Sequence, residues 1–151
     1  MSEIEKIVED MQRIYDGDAR YGLSLREALQ DVTLTQAVAK PISSAHSIWE
    51  IVLHIAAWQN VFADRLMGRA MEEPAEGDFP PIVDPGELAW VETLVMLNRA
   101  QEGFLKVVSQ LPDSRLNETV IGRDYSVRFM LDNAIRHCIY HTGQIALLRK
   151  A

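Results

Sequence analysis

The chain has a single cysteine, Cys138, in 151 residues. No internal disulfide can form, and a reducing compartment such as the cytoplasm is expected. A long apolar run is missing too. The longest candidate, Ile48 to Trp58, is broken by Glu50 and His54 and falls well short of the ~20 residues that cross a bilayer. The opening MSEIEKIVEDMQ has neither a cationic n-region nor an apolar h-region, so it does not read as a signal peptide. Excess positive charge is also absent: 15 Lys and Arg are scattered among 22 Asp and Glu, for a formal net charge of −7. Such a balance repels a phosphate backbone, and no local basic patch offsets it, so nucleic acid is not the expected partner. No repeat, no low-complexity tract and no alternating stretch long enough for a sheet is present.

The residues that remain are 48% hydrophobic and 25% charged, an ordinary globular balance, and the length suits one domain over residues 1–151. Four long segments carry helical periodicity. The first runs from about Ser2 to Asp16, with Ile4, Ile7, Val8, Met11, Ile14 and Tyr15 at helical spacing. A short amphipathic piece, Ser24 to about Asp31, follows, then a loop containing Lys40-Pro41. The second long helix starts at a capping box, Ser47 with Glu50, and reads to near Gly68. Apolar residues cover more than one of its faces, which predicts the most buried helix. A proline-rich loop over 70–86 leads to a third helix, expected to be capped by Asp84 with Pro85 at its first position and Glu87 two residues on, and ending near Gln110. Ser126 is placed to cap the fourth, which runs to Arg149 and Lys150. Four long helices in about 150 residues predict an all-α four-helix bundle.

Two histidines stand four apart in HCIYHTGQI, residues 137–145. Positions four apart differ by only about 40° around a helix, so His137 and His141 share a face with Met130, Ala134 and Leu148, and Asn133 and Gln144 flank them. On the second long helix His54 shares a face with Ile51, Trp58 and Val61. His46 precedes the cap and belongs to the loop. Three histidines thus aim inward from two helices, and packing those helices together could unite them. Spacing alone leaves two readings open. Each buried imidazole needs a polar partner or costs about 1–3 kcal/mol, and a core hydrogen bond meets that need. A divalent Zn, Ni or Fe ion meets it for all three at once and keeps a coordination position open.

The stretches HSIWEIVLHIAAW and HCIYHTGQIALLRK, with SLREAL and GRDYSVRFML between the chain's other helices, resemble the DinB/YfiT-like family of metal-dependent enzymes. The resemblance covers nearly the whole chain. It implies a four-helix bundle of up-down-down-up topology, a divalent metal held by His54, His137 and His141, and a homodimer. Relatives with known chemistry include S-transferases and isomerases that use low-molecular-weight thiols, so the resemblance implies a metal-dependent transferase joining such a thiol to an electrophilic small molecule. A metal-dependent hydrolase and a non-catalytic metal-binding stress-response protein are the alternatives, and no Glu beside the three histidines offers the general base a protease-like hydrolase wants. One departure stands out. Relatives often carry Asp where this chain has Cys138, which reads here as a small buried apolar residue.

Around the three histidines, Asn133, Gln144, Tyr140 and Trp58 are the candidate pocket residues. Gln144 is read as facing a polar gap ahead of hydrogen-bonding near the metal, Tyr140 as packing against a helix or a partner subunit or else lining the pocket, and Trp49, Trp58 and Trp90 as packing residues. Gly143 is either a close-packing position or a merely tolerated glycine. Metal affinity is expected to weaken below about pH 6 as protons compete for the imidazoles.

Overall fold

A computed structural model describes all residues, Met1–Ala151. The chain is all-helical, 62% helix with no strand, and has six helices of which four are long. They are α1 (Glu3–Asp16), α2 (Leu25–Leu29), α3 (Leu34–Val38), α4 (Ile48–Leu66), α5 (Glu87–Ser109) and α6 (Val127–Leu148), with a 3-10 turn at Asp113–Asn117.

Local sequence explains most of the starts. Ser2 with Glu5, Ser24 with Glu27, Thr33 with Gln36 and Ser47 with Glu50 each form a reciprocal capping box that satisfies amide groups the helix leaves free. Ser126 caps α6 through the Phe129 amide. The start of α5 departs from expectation. Its cap is Gly86, and Pro85 lies outside the helix. The Asp84 carboxylate accepts from the Gly86 amide at 2.9 Å, which closes a turn one step too early to cap α5. A second departure is α3, five residues read from sequence as loop. Gly68, at φ 90, ends α4 where an L side chain would be strained.

α4 buries 13 of its 19 residues and packs chiefly on α5, then on α6. Trp49, buried on α4, donates its indole N–H to Thr93 at 3.0 Å and lies tilted against Trp90, so both rings pack as expected. Arg149 closes α6 through its backbone N–H, which donates to the Ile145 carbonyl, and its side chain reaches past the helix. Its Nη1 donates to the Glu27 and Ala28 carbonyls at 3.1 and 2.7 Å, tying the end of α6 to α2.

The apolar core forms two clusters. One gathers Trp49, Val52, Ile55, Trp90 and Ile145; the other gathers Met11, Phe62, Phe104, Val108 and Leu131. Polar side chains mark the changeover. Gln59 on α4 and Gln101 on α5 pair at 2.6 Å, and His137 on α6 falls between Ala134 of one cluster and Cys138 of the other.

Candidate metal centre and its cavity

His54 from α4 and His137 and His141 from α6 converge, each presenting one ring nitrogen within 4.8 Å of the others. The Nε2 atoms of His54 and His137 stand 2.8 Å apart. The two rings with assigned partners are turned the same way. His54 directs Nδ1 at the Asp78 carbonyl, 2.5 Å away, and His141 directs Nδ1 at Gln144 Oε1, 2.6 Å away. Each Nδ1 therefore carries the proton and donates it, and each Nε2 keeps its lone pair facing the other imidazoles.

Burial fixes the protonation state. His54 and His141 are 5% and 6% exposed. Desolvation, the largest effect at all three rings, lowers each pKa, and His137 is pushed down to about 3 with help from the neighbouring His141 and His54. The Asp78 and Gln144 contacts oppose that lowering without reversing it. Three neutral imidazoles with converging ring nitrogens are the donor set that suits Zn, Ni or Fe. A tetrahedral ion with Zn–N bonds of 2.0–2.1 Å separates its ligand atoms by about 3.3 Å, inside the range these nitrogens span. The residues fit a divalent metal.

The site opens on a cavity of about 820 Å³. Trp58, Asn133, Tyr140 and Gln144 all line it. Trp58 donates to Asp78 Oδ1 at 2.8 Å, so it does more than pack. Gln144 hydrogen-bonds His141 beside the candidate metal position, the second of its two sequence readings. Tyr140 is 64% exposed and meets the His141 ring edge-on, which places it on the cavity wall and not in a packed core. Cys138 points elsewhere: it is 6% exposed in the core, and burial pushes its thiol up to about 12. Gly143 is not a close-packing position, since a Cβ there meets nothing within 4 Å.

Sequence reasoning missed two residues here. Asp78 holds His54 and Trp58, and Phe79 lies flat between His46 and His54, with ring centroids 3.6 and 4.0 Å away. Both come from the 70–86 loop, read from sequence only as a connection, and no helical spacing could have announced them. His46, assigned to a loop, therefore reaches the cavity through Phe79.

An all-helical protein with a three-histidine cluster lining an open cavity defines a class able to hold a divalent metal. Within that class the sequence profile of the DinB superfamily matches residues 24–145, most of the chain, and the protein belongs to that superfamily. No curated protein and no solved structure matches it.

Proposed function

We propose that the protein is a metal-dependent enzyme that transfers a low-molecular-weight thiol to an electrophilic small molecule, with His54, His137 and His141 as the metal ligands. The observation that carries the reading is the convergence of three neutral imidazoles on a cavity large enough for a small substrate. A divalent ion held there would act as a Lewis acid and favour thiolate over thiol. The chain's own residues prepare that step. The Asp78 carbonyl and Gln144 hold two rings in the tautomer that leaves Nε2 free. Phe79 covers one face of His54, and Phe62 meets His137 edge-on at 6.3 Å, so aromatic rings flank two of the imidazoles. Trp58, Tyr140 and Asn133 shape the wall that a substrate would meet.

The same reading takes residues 1–151 as one domain and the four long helices as an up-down-down-up bundle. Support comes from the core. α1 and α6 run from the Phe104 cluster toward the Trp49 cluster, while α4 and α5 run the other way. Two consecutive helices of like direction need a long crossover, which the 67–86 connection supplies. A homodimer in the cytoplasm is part of the proposal, and no helix is long and apolar enough to cross a membrane.

A hydrolase is the second reading, and Asp78 favours it. Its carboxylate lines the cavity, with Oδ1 3.4 Å from His54 Nδ1, so an acid group stands where sequence offered none. The test is purification without a polyhistidine tag, elemental analysis, and then turnover of monochlorobimane with several small thiols. Stoichiometric metal and thiol-dependent turnover are expected. Less than a tenth of an equivalent of metal with no uptake of added Zn²⁺ or Ni²⁺ would overturn both readings, and thiol-independent ester cleavage would favour the hydrolase.

A further inference from the structure

Arg65 is the only charged residue the fold buries, at 5% exposure, in a chain with seven more negative than positive charges. A buried guanidinium ordinarily has a carboxylate beside it, because an unpaired internal charge is costly. Arg65 has none. Its Nε donates to the Met71 carbonyl at 2.8 Å, Nη2 to the Glu72 carbonyl at 2.8 Å, and Nη1 to the Tyr125 hydroxyl oxygen at 3.0 Å. Arg123 then adds a second positive charge. Its Nη2 donates to the same Met71 carbonyl at 3.1 Å, and it too has no ion pair.

Two cations therefore share one neutral acceptor. Their repulsion is part of what lowers the Arg65 pKa, behind desolvation. Glu72, the nearest acid in sequence, contributes its carbonyl and leaves its carboxylate without an ion pair. The Tyr125 hydroxyl accepts from Arg65 and has no acceptor of its own, so its proton is free to donate. Arg65, Arg123 and Tyr125 line the cavity that holds the histidines, and so does Glu72.

Their position relative to the histidines is set by α4. Arg65 lies eleven residues after His54, three turns on and about 20° away around the axis, so the two share a face about 16 Å apart along the helix. Trp58 spans the interval, its ring 6.4 Å from the His54 ring and 5.7 Å from the Arg65 guanidinium carbon. The cavity thus has imidazoles at one end, aromatic rings along its length and unpaired positive charge at the other.

We propose that Arg65, Arg123 and Tyr125 form a carboxylate-binding subsite, and that the small molecule reaching the histidines carries a carboxylate at its far end. The unused Arg123 N–H groups and the Tyr125 hydroxyl offer the paired donors a carboxylate's two oxygens accept. Two loop carbonyls and the Tyr125 hydroxyl take three of Arg65's donor contacts, so Arg65 supplies field and anchors the wall while Arg123 and Tyr125 make the contacts. The subsite stands on its own geometry; only the link from it to chemistry at the histidines rests on the proposed function.

The test separates the two. Arginine Nε–H resonances of the metal-free protein, assigned with R65K and R123Q, are followed while hexanoate or hexanol is added at matched ionic strength. Hexanoate should move the Arg65 and Arg123 peaks and hexanol should not, with R123Q weakening hexanoate at least about tenfold. Equal effects of the two probes, or movement confined to other arginines, would overturn the subsite even if metal binds as proposed. In zinc-loaded protein, a series of ω-mercaptoalkanoates is then compared with the matching mercaptoalcohols by calorimetry. A carboxylate preference that peaks at one chain length and vanishes in R123Q, with zinc affinity unchanged, supports the link between the two ends. Competition by hexanoate would assign the carboxylate to the thiol partner, whereas simultaneous binding would assign it to the electrophile. A preference without length dependence would sever the link and leave only an anion site.

Discussion

Acid should harm metal binding at this site far less than at an exposed three-histidine site, and the size of the difference follows from burial. An ordinary imidazole with a pKa near 6.5 is about 3% neutral at pH 5, which costs a metal about 2 kcal/mol per ligand. Three such ligands cost about 6 kcal/mol between pH 7.5 and pH 5, more than four orders of magnitude in affinity. Here His137 is held to about 3, so it stays neutral at pH 5 and its share disappears. His54 and His141 are lowered as well, by desolvation first, so the remaining loss lies below about 4 kcal/mol, or under a thousandfold. The sign is fixed by direction: a lowered pKa keeps the lone pair available as pH falls. Zinc competition against a chelator of known pH dependence, from pH 7.5 to 5 with helicity checked at each point, measures it. An affinity that falls a thousandfold per pH unit below 6.5 would refute the reasoning and restore the onset near pH 6 that spacing alone suggests.

His137→Ala or His141→Ala should abolish zinc uptake while most of the helical circular dichroism survives; global unfolding would show that the imidazoles hold the core. Gln144→Ala should weaken zinc about 10–100-fold by freeing the His141 ring, and an unchanged dissociation constant would remove Gln144 from the site. Gly143→Ala should stabilise the protein by about 0.5–1 kcal/mol in denaturant titration, because a helical glycine is replaced where nothing lies within 4 Å; a lower midpoint would mean that something packs on this face in solution. Cys138 should resist an aromatic disulfide reagent in the native state and react on unfolding, since its thiol is buried and pushed up to about 12.

How much could be read from sequence depended on how locally each feature is determined. The Ser47–Glu50 box is encoded within four residues and stands as expected. Asp84-Pro85-x-Glu87 carries an equally local signal, yet the Asp84 carboxylate is captured by the Gly86 amide before the helix begins. The inward faces of His54, His137 and His141 followed from helical period, and packing brought them together. Asp78 and Phe79 had no period to betray them, because their place depends on how a proline-rich loop folds back over α4. Arg65 was an intermediate case. Its eleven-residue spacing from His54 is visible in the sequence, but only the three-dimensional lack of a carboxylate partner gives that spacing a meaning.

The split core sets how freely this chain can vary. Because Gln59, Gln101 and His137 mark the changeover between two apolar clusters, a cavity opened beside Val52 has few shared neighbours with one opened beside Leu131. Substitutions at the two ends should therefore act almost independently, as distant sites do. Each end can be repacked by its own compensating changes while the changeover stays fixed. A fold arranged in this way can accumulate very different apolar sequences around an unaltered set of imidazoles.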